Sequence, residues 1–363
     1  MIEFKLPSLG ADMDEGTLLE WKVRPGDEVT KGQVIAVVDT AKAAIDVECW
    51  TPGIVHELIV EVGQKMPVGT VMAQLLEAGA APPGPTTAPR RKISPAAKKR
   101  AAVKGIELDR IVGTGPHGAV TLEDVEKAAA VAKPVATVDK TQEMRKAIAA
   151  AMARSKREIP HYYVAEEIQL EKALAWLGAE NTRRPIAERL LPAALLLKAI
   201  ATTLKRYPEL NGHFRDGTFM PAERINLGVA ISLRQGGLIA PALLDASTIS
   251  LTQLMQGLTD LVKRTRAGSL RSSELIDGTI TVTNLGDQGA QSVFGVIYPP
   301  QVALVGLGRI IERPCVDADG GIKAMPVIVA SLAADHRVSD GHRGALFLRE
   351  LAELLQHPEE LDK

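Results

Sequence analysis

The chain has 363 residues, too many for one ordinary hydrophobic core, so two or three domains are expected. Apolar residues make up 46% and charged residues 24%, which excludes global disorder, and 3% aromatics argue against a stacking surface for single-stranded nucleic acid. A net charge of −1 argues against a chain built to neutralise phosphates or anionic lipid, and no uncharged apolar run approaches the ~18 residues of a membrane span. Cys49 and Cys315 are too few for a disulfide framework or a cysteine zinc site and fit a reducing compartment. The expectation is a soluble cytoplasmic protein with no nucleic-acid or membrane partner.

Residues 1–77 are acidic, with 6 Lys+Arg against 13 Asp+Glu. They contain a repeat in which Gly16, Val23, Gly26, Gly32 and Val34 recur as Gly53, Val60, Gly63, Gly69 and Val71. Short runs such as TLLEWKV, QVIAVV, AAIDVE and VMAQLL alternate with Gly/Pro/Asp punctuation, so they read as strands joined by tight turns. Two copies of one strand set predict a small all-β sandwich with approximate two-fold symmetry. The segment DTAKAA between two of these strands puts Lys42 near a hairpin tip, where a lysine is more often a plain solvated residue.

Residues 78–90 (AGAAPPGPTTAPR) and 129–139 are Ala/Pro-rich and read as semi-rigid linkers. Between them, residues 91–128 are basic, with 8 Lys+Arg against 5 Asp+Glu, and are too few for a sizeable core. Ser94 and Pro95 open one helix, a Gly-rich loop follows, and a second helix starts at Thr121 with acidic residues in its first turn. The loop GTGPHG lacks the GxxxxGK[ST] spacing of a phosphate cradle.

Residues 140–363 are long enough for one α/β domain. RKAIAAAMARSKREIPHYY reads as a helix stopped by Pro160, and TRRPIAERLLPAALLLKAIATTLKRYPEL as helix broken at Pro192 and Pro208. INLGVAISL, GTITVTNLG, QVALVGLGRI and MPVIVASLAADHRV read as strands, and a last helix puts Leu348, Leu351, Ala352 and Leu355 on one face. The sharpest motif is DHRVSDG, residues 335–341, in which His336 and Asp340 supply a base and a carboxylate four residues apart. The seven histidines are scattered without HxxxH or HExxH spacing, so no metal site is expected.

PSLGADMDEG, WKVRPGDEV, DTAKAAIDVE and TPGIV resemble the lipoyl domain of 2-oxo acid dehydrogenase complexes. Residues 91–128 are similar to the peripheral subunit-binding domain of the same acyltransferases. DHRVSDG, IPHYY, GLIAPAL, TNLG and YPPQVALVGLG resemble the dihydrolipoyl acyltransferase catalytic domain, a two-layer α/β fold related to chloramphenicol acetyltransferase. The resemblance implies lipoic acid in amide linkage on Lys42, placed there by a lipoate ligase, and coenzyme A as acyl acceptor. It implies that His336 takes the proton of the coenzyme A thiol. Thr283, where the family has serine in SNLG, donates to the oxyanion; Asp340 holds the loop and Arg337; and Asn284 lines the coenzyme A pocket. It also implies a homotrimer or larger core with active sites between subunits, and docking of a thiamine-dependent decarboxylase or dihydrolipoyl dehydrogenase through residues 91–128.

Three further positions depart from the family pattern: Ala41 stands where Asp is usual before the lysine, and Lys98 and Ala119 stand where Arg is usual in the docking domain. Lysine lacks arginine's bidentate fork. A biotin carrier would have methionines beside Lys42, and Ala41 and Ala43 oppose that. The acyl group is expected to be acetyl. The alternative reading is a lipoyl-bearing scaffold with a catalytically inert core.

Overall fold

The structure is a computed structural model. It describes residues 1–9, 13, 15–40, 44–77, 94, 97, 100, 101, 115, 119–131, 140–233, 237–286, 289–317 and 319–362. The chain forms two compact units, residues 1–80 with 140–363, and residues 81–139.

In the first unit, the N-terminal strands are β1 (Ile2–Lys5), β2 (Glu15–Trp21), β3 (Glu28–Val29), β4 (Gln33–Asp39), β5 (Ala44–Cys49), β6 (Gly53–Leu58), β7 (Lys65–Pro67) and β8 (Val71–Leu76). They form two sheets, in the orders β1-β8-β6-β3 and β5-β4-β2-β7. Inward side chains of both sheets, including Leu18, Ile35, Val38, Ile45, Val47, Val55, Met72 and Leu75, make one buried core. This is the expected sandwich, and its repeat is visible in the backbone. Gly26 and Gly63 have φ +95° and +88°, and Gly32 and Gly69 have +82° and +87°, so each repeated turn needs the left-handed geometry that glycine supplies. β4 and β5 pair down to Asp39↔Ala44, closing a hairpin on the segment that holds Lys42. Lys42 itself lies outside the described residues.

In the second unit, α1 (Leu122–Val131) is opened by Thr121, whose backbone and hydroxyl both donate to the Asp124 carboxylate at 2.9 Å. The hydroxyl of Ser94 accepts from the Ala97 amide at 3.2 Å, the bond expected of an N-cap. Lys98 lies outside the described residues, and Ala119 is half-buried.

Residues 140–363 begin with α2 (Lys140–Glu158), which stops before Pro160 as predicted. Then come β9 (His161–Gln169), α3 (Glu171–Thr182), α4 (Pro192–Leu204), the hairpin β10 (Gly212–Arg215) and β11 (Thr218–Pro221), β12 (Leu227–Val229), β13 (Ile231–Ser232), β14 (Leu238–Ile239) and β15 (Ala242–Leu243). The remainder is α5 (Leu251–Ala267), β16 (Leu270–Arg271), α6 (Ser272–Ile276), β17 (Ile280–Asn284), β18 (Ala303–Leu307), β19 (Ile311–Val316), β20 (Ile322–Asp335) and α7 (Gly341–Leu354). A seven-stranded mixed sheet runs β15-β12-β17-β18-β20-β19, with β9 on the other edge of β20. Pro192 starts α4 at its first turn, where a missing N–H costs nothing. Ten of the thirteen α4 residues are buried, so this helix is core on every side, and it packs against the helices α5 and α7. The predicted strand INLGVAISL splits into β12 and β13.

β20 is the spine of the domain, because β9, β18 and β19 all pair with it. Gly306 and Gly308 let the backbone of residues 291–293 lie directly on β18: a Cβ at Gly306 would strike the Val293 carbonyl, and one at Gly308 the Gln291 carbonyl. Gly306→Ala is expected to destabilise the protein by about 1–3 kcal/mol, read as a lower denaturation midpoint at unchanged slope.

Candidate active site

The end of β20 sets the geometry around His336. Asp335 is fully buried, and its backbone N–H donates to the Val302 carbonyl at 2.9 Å. A buried carboxylate must be paired, and the partner here is two residues away. The Arg337 guanidinium donates to Asp335 through Nε at 2.9 and 3.1 Å and through Nη2 at 2.6 Å, and the Arg337 amide donates at 3.0 Å. The same guanidinium lies 4.0 Å above the Phe214 ring. The amides of Val338 and Ser339 donate back to the Asp335 carbonyl, closing the turn.

His336 is carried outward on that turn and is exposed. Its amide donates to the Pro160 carbonyl at 2.9 Å, and its ring meets Tyr162 edge-on at 5.4 Å. Tyr162 is itself pinned by a 2.9 Å bond between its hydroxyl and that of Ser339. Asp340 is the N-cap of α7, accepting from the Arg343 amide at 2.9 Å. That amide, and secondarily the fields of His342 and His336, hold its carboxyl below the ordinary range. Asp340 therefore anchors the loop to the helix, while Arg337, expected to be held by Asp340, is held by Asp335. The signal for Asp335 was the first letter of DHRVSDG, buried at the end of an apolar strand. Tyr162 and Ser339 lie within IPHYY and DHRVSDG, but the motifs alone gave neither a role.

Thr283 sits half-buried near the end of β17, with exposed Asn284 after it. The Asn284 side-chain carbonyl accepts from the Gly286 amide at 2.9 Å and shapes the turn, in which Gly286 has φ +61°. Thr283 pairs with Gly306, and Gly306 with Ser331. β20 runs antiparallel to β18, so His336 lies five residues further along, about 16 Å away at the opposite end of the sheet. One chain does not bring Thr283 and His336 together.

Beside the 335–337 turn lies a cleft of about 820 Å³ lined by Phe214, Thr281, Tyr298, Gln301 and three arginines, Arg154, Arg215 and Arg337. Glu158 and Asp216 line it as well, Glu158 pairing with Arg154 at 3.0 Å. The sequence reading missed this cleft, because its lining comes from separate elements. Nearby, His161 shows why proximity alone does not make a base. Its Nδ1–H donates to the Ile159 carbonyl at 2.8 Å and its Nε2 accepts from the Ile297 amide at 3.1 Å, so the neutral ring is fully used. Burial pushes its pKa below 6.5.

Two outcomes follow from this geometry. Arg337→Ala leaves the Asp335 carboxylate buried without its ion partner and is expected to cost about 3 kcal/mol, measured by denaturant unfolding. His161 binds a proton more readily unfolded than folded, so its contribution is complete above 6.5 and declines as pH falls through the window below. His213, also depressed by burial, adds to this decline. The melting temperature is expected to fall between about pH 7 and pH 5, and less steeply in His161→Gln.

Three family models match the chain: "Biotin-requiring enzyme" over residues 2–75, "e3 binding domain" over 91–126, and "2-oxoacid dehydrogenases acyltransferase (catalytic domain)" over 134–362. The chain is 30% identical over 420 residues to the mitochondrial dihydrolipoyllysine-residue acetyltransferase component of pyruvate dehydrogenase complex of Neurospora crassa, covering 98% of this chain and 92% of that one. It is 29% identical over 425 residues to the corresponding Staphylococcus aureus component, covering 98% of each. A crystal structure of a truncated catalytic core of the 2-oxoacid dehydrogenase multienzyme complex from Thermoplasma acidophilum matches with 27% identity and a TM-score of 0.53, covering 59% of this chain and 95% of that one. With lipoyl, docking and catalytic modules in that order, the chain belongs to the 2-oxoacid dehydrogenase acyltransferase family and is an enzyme of that class.

Proposed function

We propose that this chain transfers an acetyl group between a lipoyl arm on Lys42 and coenzyme A. The observation that carries the reading is His336, exposed on a turn locked by the pairing of buried Asp335 with Arg337 and bordered by a cleft. Lipoic acid, when attached, supplies a thioester-bearing sulfur on a long arm. The His336 imidazole accepts the proton of the coenzyme A thiol as that sulfur bonds to the acyl carbonyl carbon, and the imidazolium returns the proton to the sulfur that leaves. General-base help of this kind, given as attack develops, is worth about 10²–10⁴-fold. The Thr283 hydroxyl donates to the carbonyl oxygen as its charge grows, a role whose loss costs about 10²–10³ in kcat elsewhere. Threonine keeps the donor while its methyl restricts χ1.

Their separation within one chain means that Thr283 and His336 meet on one substrate only from different copies, in a homotrimer or larger core. Asn284 lies beside Thr283, where it lines the coenzyme A path. Asp340 supports the His336 loop through α7. Residues 91–128 dock the thiamine-dependent decarboxylase or the dihydrolipoyl dehydrogenase, a lipoate ligase modifies Lys42, and the complex works in the cytoplasm. The acetyl assignment draws support from the relatives named as acetyltransferase components.

His336→Ala and Thr283→Ala are each expected to lose at least about a hundredfold in transfer to free dihydrolipoamide, and Thr283→Ser to retain most of it. Co-expression of the two alanine variants tests the shared site. Random assembly restores about a quarter of wild-type activity if each site takes one residue from each of two chains. No restoration places the two residues in different sites, full activity in His336→Ala overturns its role as the base, and no transfer by the wild-type chain supports the inert-scaffold alternative. Acetyl-, succinyl- and isobutyryl-coenzyme A compared as donors are expected to rank acetyl first, and a succinyl preference overturns that assignment.

A further inference from the structure

The lipoyl sheet does not end at β5. Residues Leu270–Arg271 of the catalytic domain pair with β5 in parallel, Leu270 opposite Ile45 and Arg271 opposite Asp46. The sheet order becomes β16-β5-β4-β2-β7, a strand addition between modules more than 220 residues apart. Leu270 is fully buried, and Leu275 of α6 packs onto the lipoyl core.

The polar centre of this contact is Glu48. It is 7% exposed, between Ser272 and Ser273, which are 2% and 4% exposed. The Glu48 amide donates to the Ser272 hydroxyl oxygen at 3.1 Å, that hydroxyl donates to the Glu48 carboxylate at 3.2 Å, and the Ser273 amide donates to the same carboxylate at 3.0 Å. The receiving segment is built to hold its shape. Arg264 binds Glu274 through both Nη atoms, and the Arg271 amide donates to Glu274 at 2.9 Å.

The seating has a direction. Thr17 pairs with Asp39, so the loop before β2 and the β4–β5 hairpin occupy the same end of the sandwich. Pro7, Ser8 and Leu9 of that loop line the cleft that also contains Arg337, the neighbour of His336.

We propose that β16 and the Ser272–Ser273 pair form a docking seat for the lipoyl module of the same chain, which binds by strand addition and presents its hairpin at the cleft. The proposal rests on Lys42 being the lipoyl attachment and assigns Glu48 as the latch. The seat is reversible by construction. Among the described residues no cation pairs with the Glu48 carboxylate, and Asp277, pushed up by burial and next by the charge of Glu48, is a like charge close by. Only two residues of strand pair, so release costs few hydrogen bonds.

Two measurements on the full-length chain test the seat. First, Asp46→Cys with Arg271→Cys places two thiols at opposed positions of the pair, and mild oxidation is expected to give an intramolecular cross-link absent from either single variant. A failure to cross-link overturns the seating, and a cross-linked dimer on a denaturing gel overturns the same-chain assignment. Second, Glu48→Arg, with folding verified by its circular dichroism and lipoylation by intact mass, is expected to slow single-turnover acetylation of its own reduced arm by acetyl-coenzyme A about tenfold. Its rate with free dihydrolipoamide, which needs no docking, should stay within about twofold of wild type. An unchanged arm rate overturns the role of Glu48. A wild-type chain without a lipoyl mass increment overturns the attachment at Lys42 instead, and the cross-link then decides the seat independently.

Discussion

A carboxylate that must stay buried governs the catalytic end of this molecule. Asp335 closes the longest strand of the sheet, inside the core, and has no access to water. Its charge is balanced from two residues away, which forces the chain to fold back at once and leaves His336 between the two partners pointing outward. The turn then feeds directly into α7, whose cap is Asp340, and onto Tyr162, whose ring supports the imidazole edge. Orientation of His336 is thus a by-product of satisfying a core charge. The alignment is carried by a strand and a helix rather than by a flexible loop.

The sheet separates the two chemical groups as a ruler would. β17 delivers Thr283 to one end and β20, running the other way, delivers His336 to the opposite end. A monomer holds both halves of the machinery and completes neither. Assembly is therefore part of the chemistry in this reading, and protomer concentration enters the rate law before any substrate does.

Most of the architecture was legible in the sequence because its signals are local. The repeated glycines of the N-terminal module mark turns that only positive φ allows, and the apolar run MPVIVASLAAD marks a strand paired on both edges. β9 was hidden because HYYVAEEIQ has mixed polarity: it is an edge strand with one wet side, and its Pro160 start read only as a helix stop. The Asp335–Arg337 pairing was missed because Asp340 was the carboxylate at the more familiar spacing. The cleft beside the 335–337 turn and the strand added to β5 depend on residues far apart in sequence, where neither periodicity nor a motif leaves a trace.

β5 is the last strand of the lipoyl sheet whenever the module is away from its seat, and a bare sheet edge invites other strands to add to it. Ile45, Val47 and Cys49 face the module's own core, while Asp46 and Glu48 set charge along the strand between them. An approaching strand must bury Glu48, which only a segment offering a hydroxyl and a free amide at the right register can afford. The same carboxylate that recognises the seat thus guards the free module against edge-to-edge aggregation.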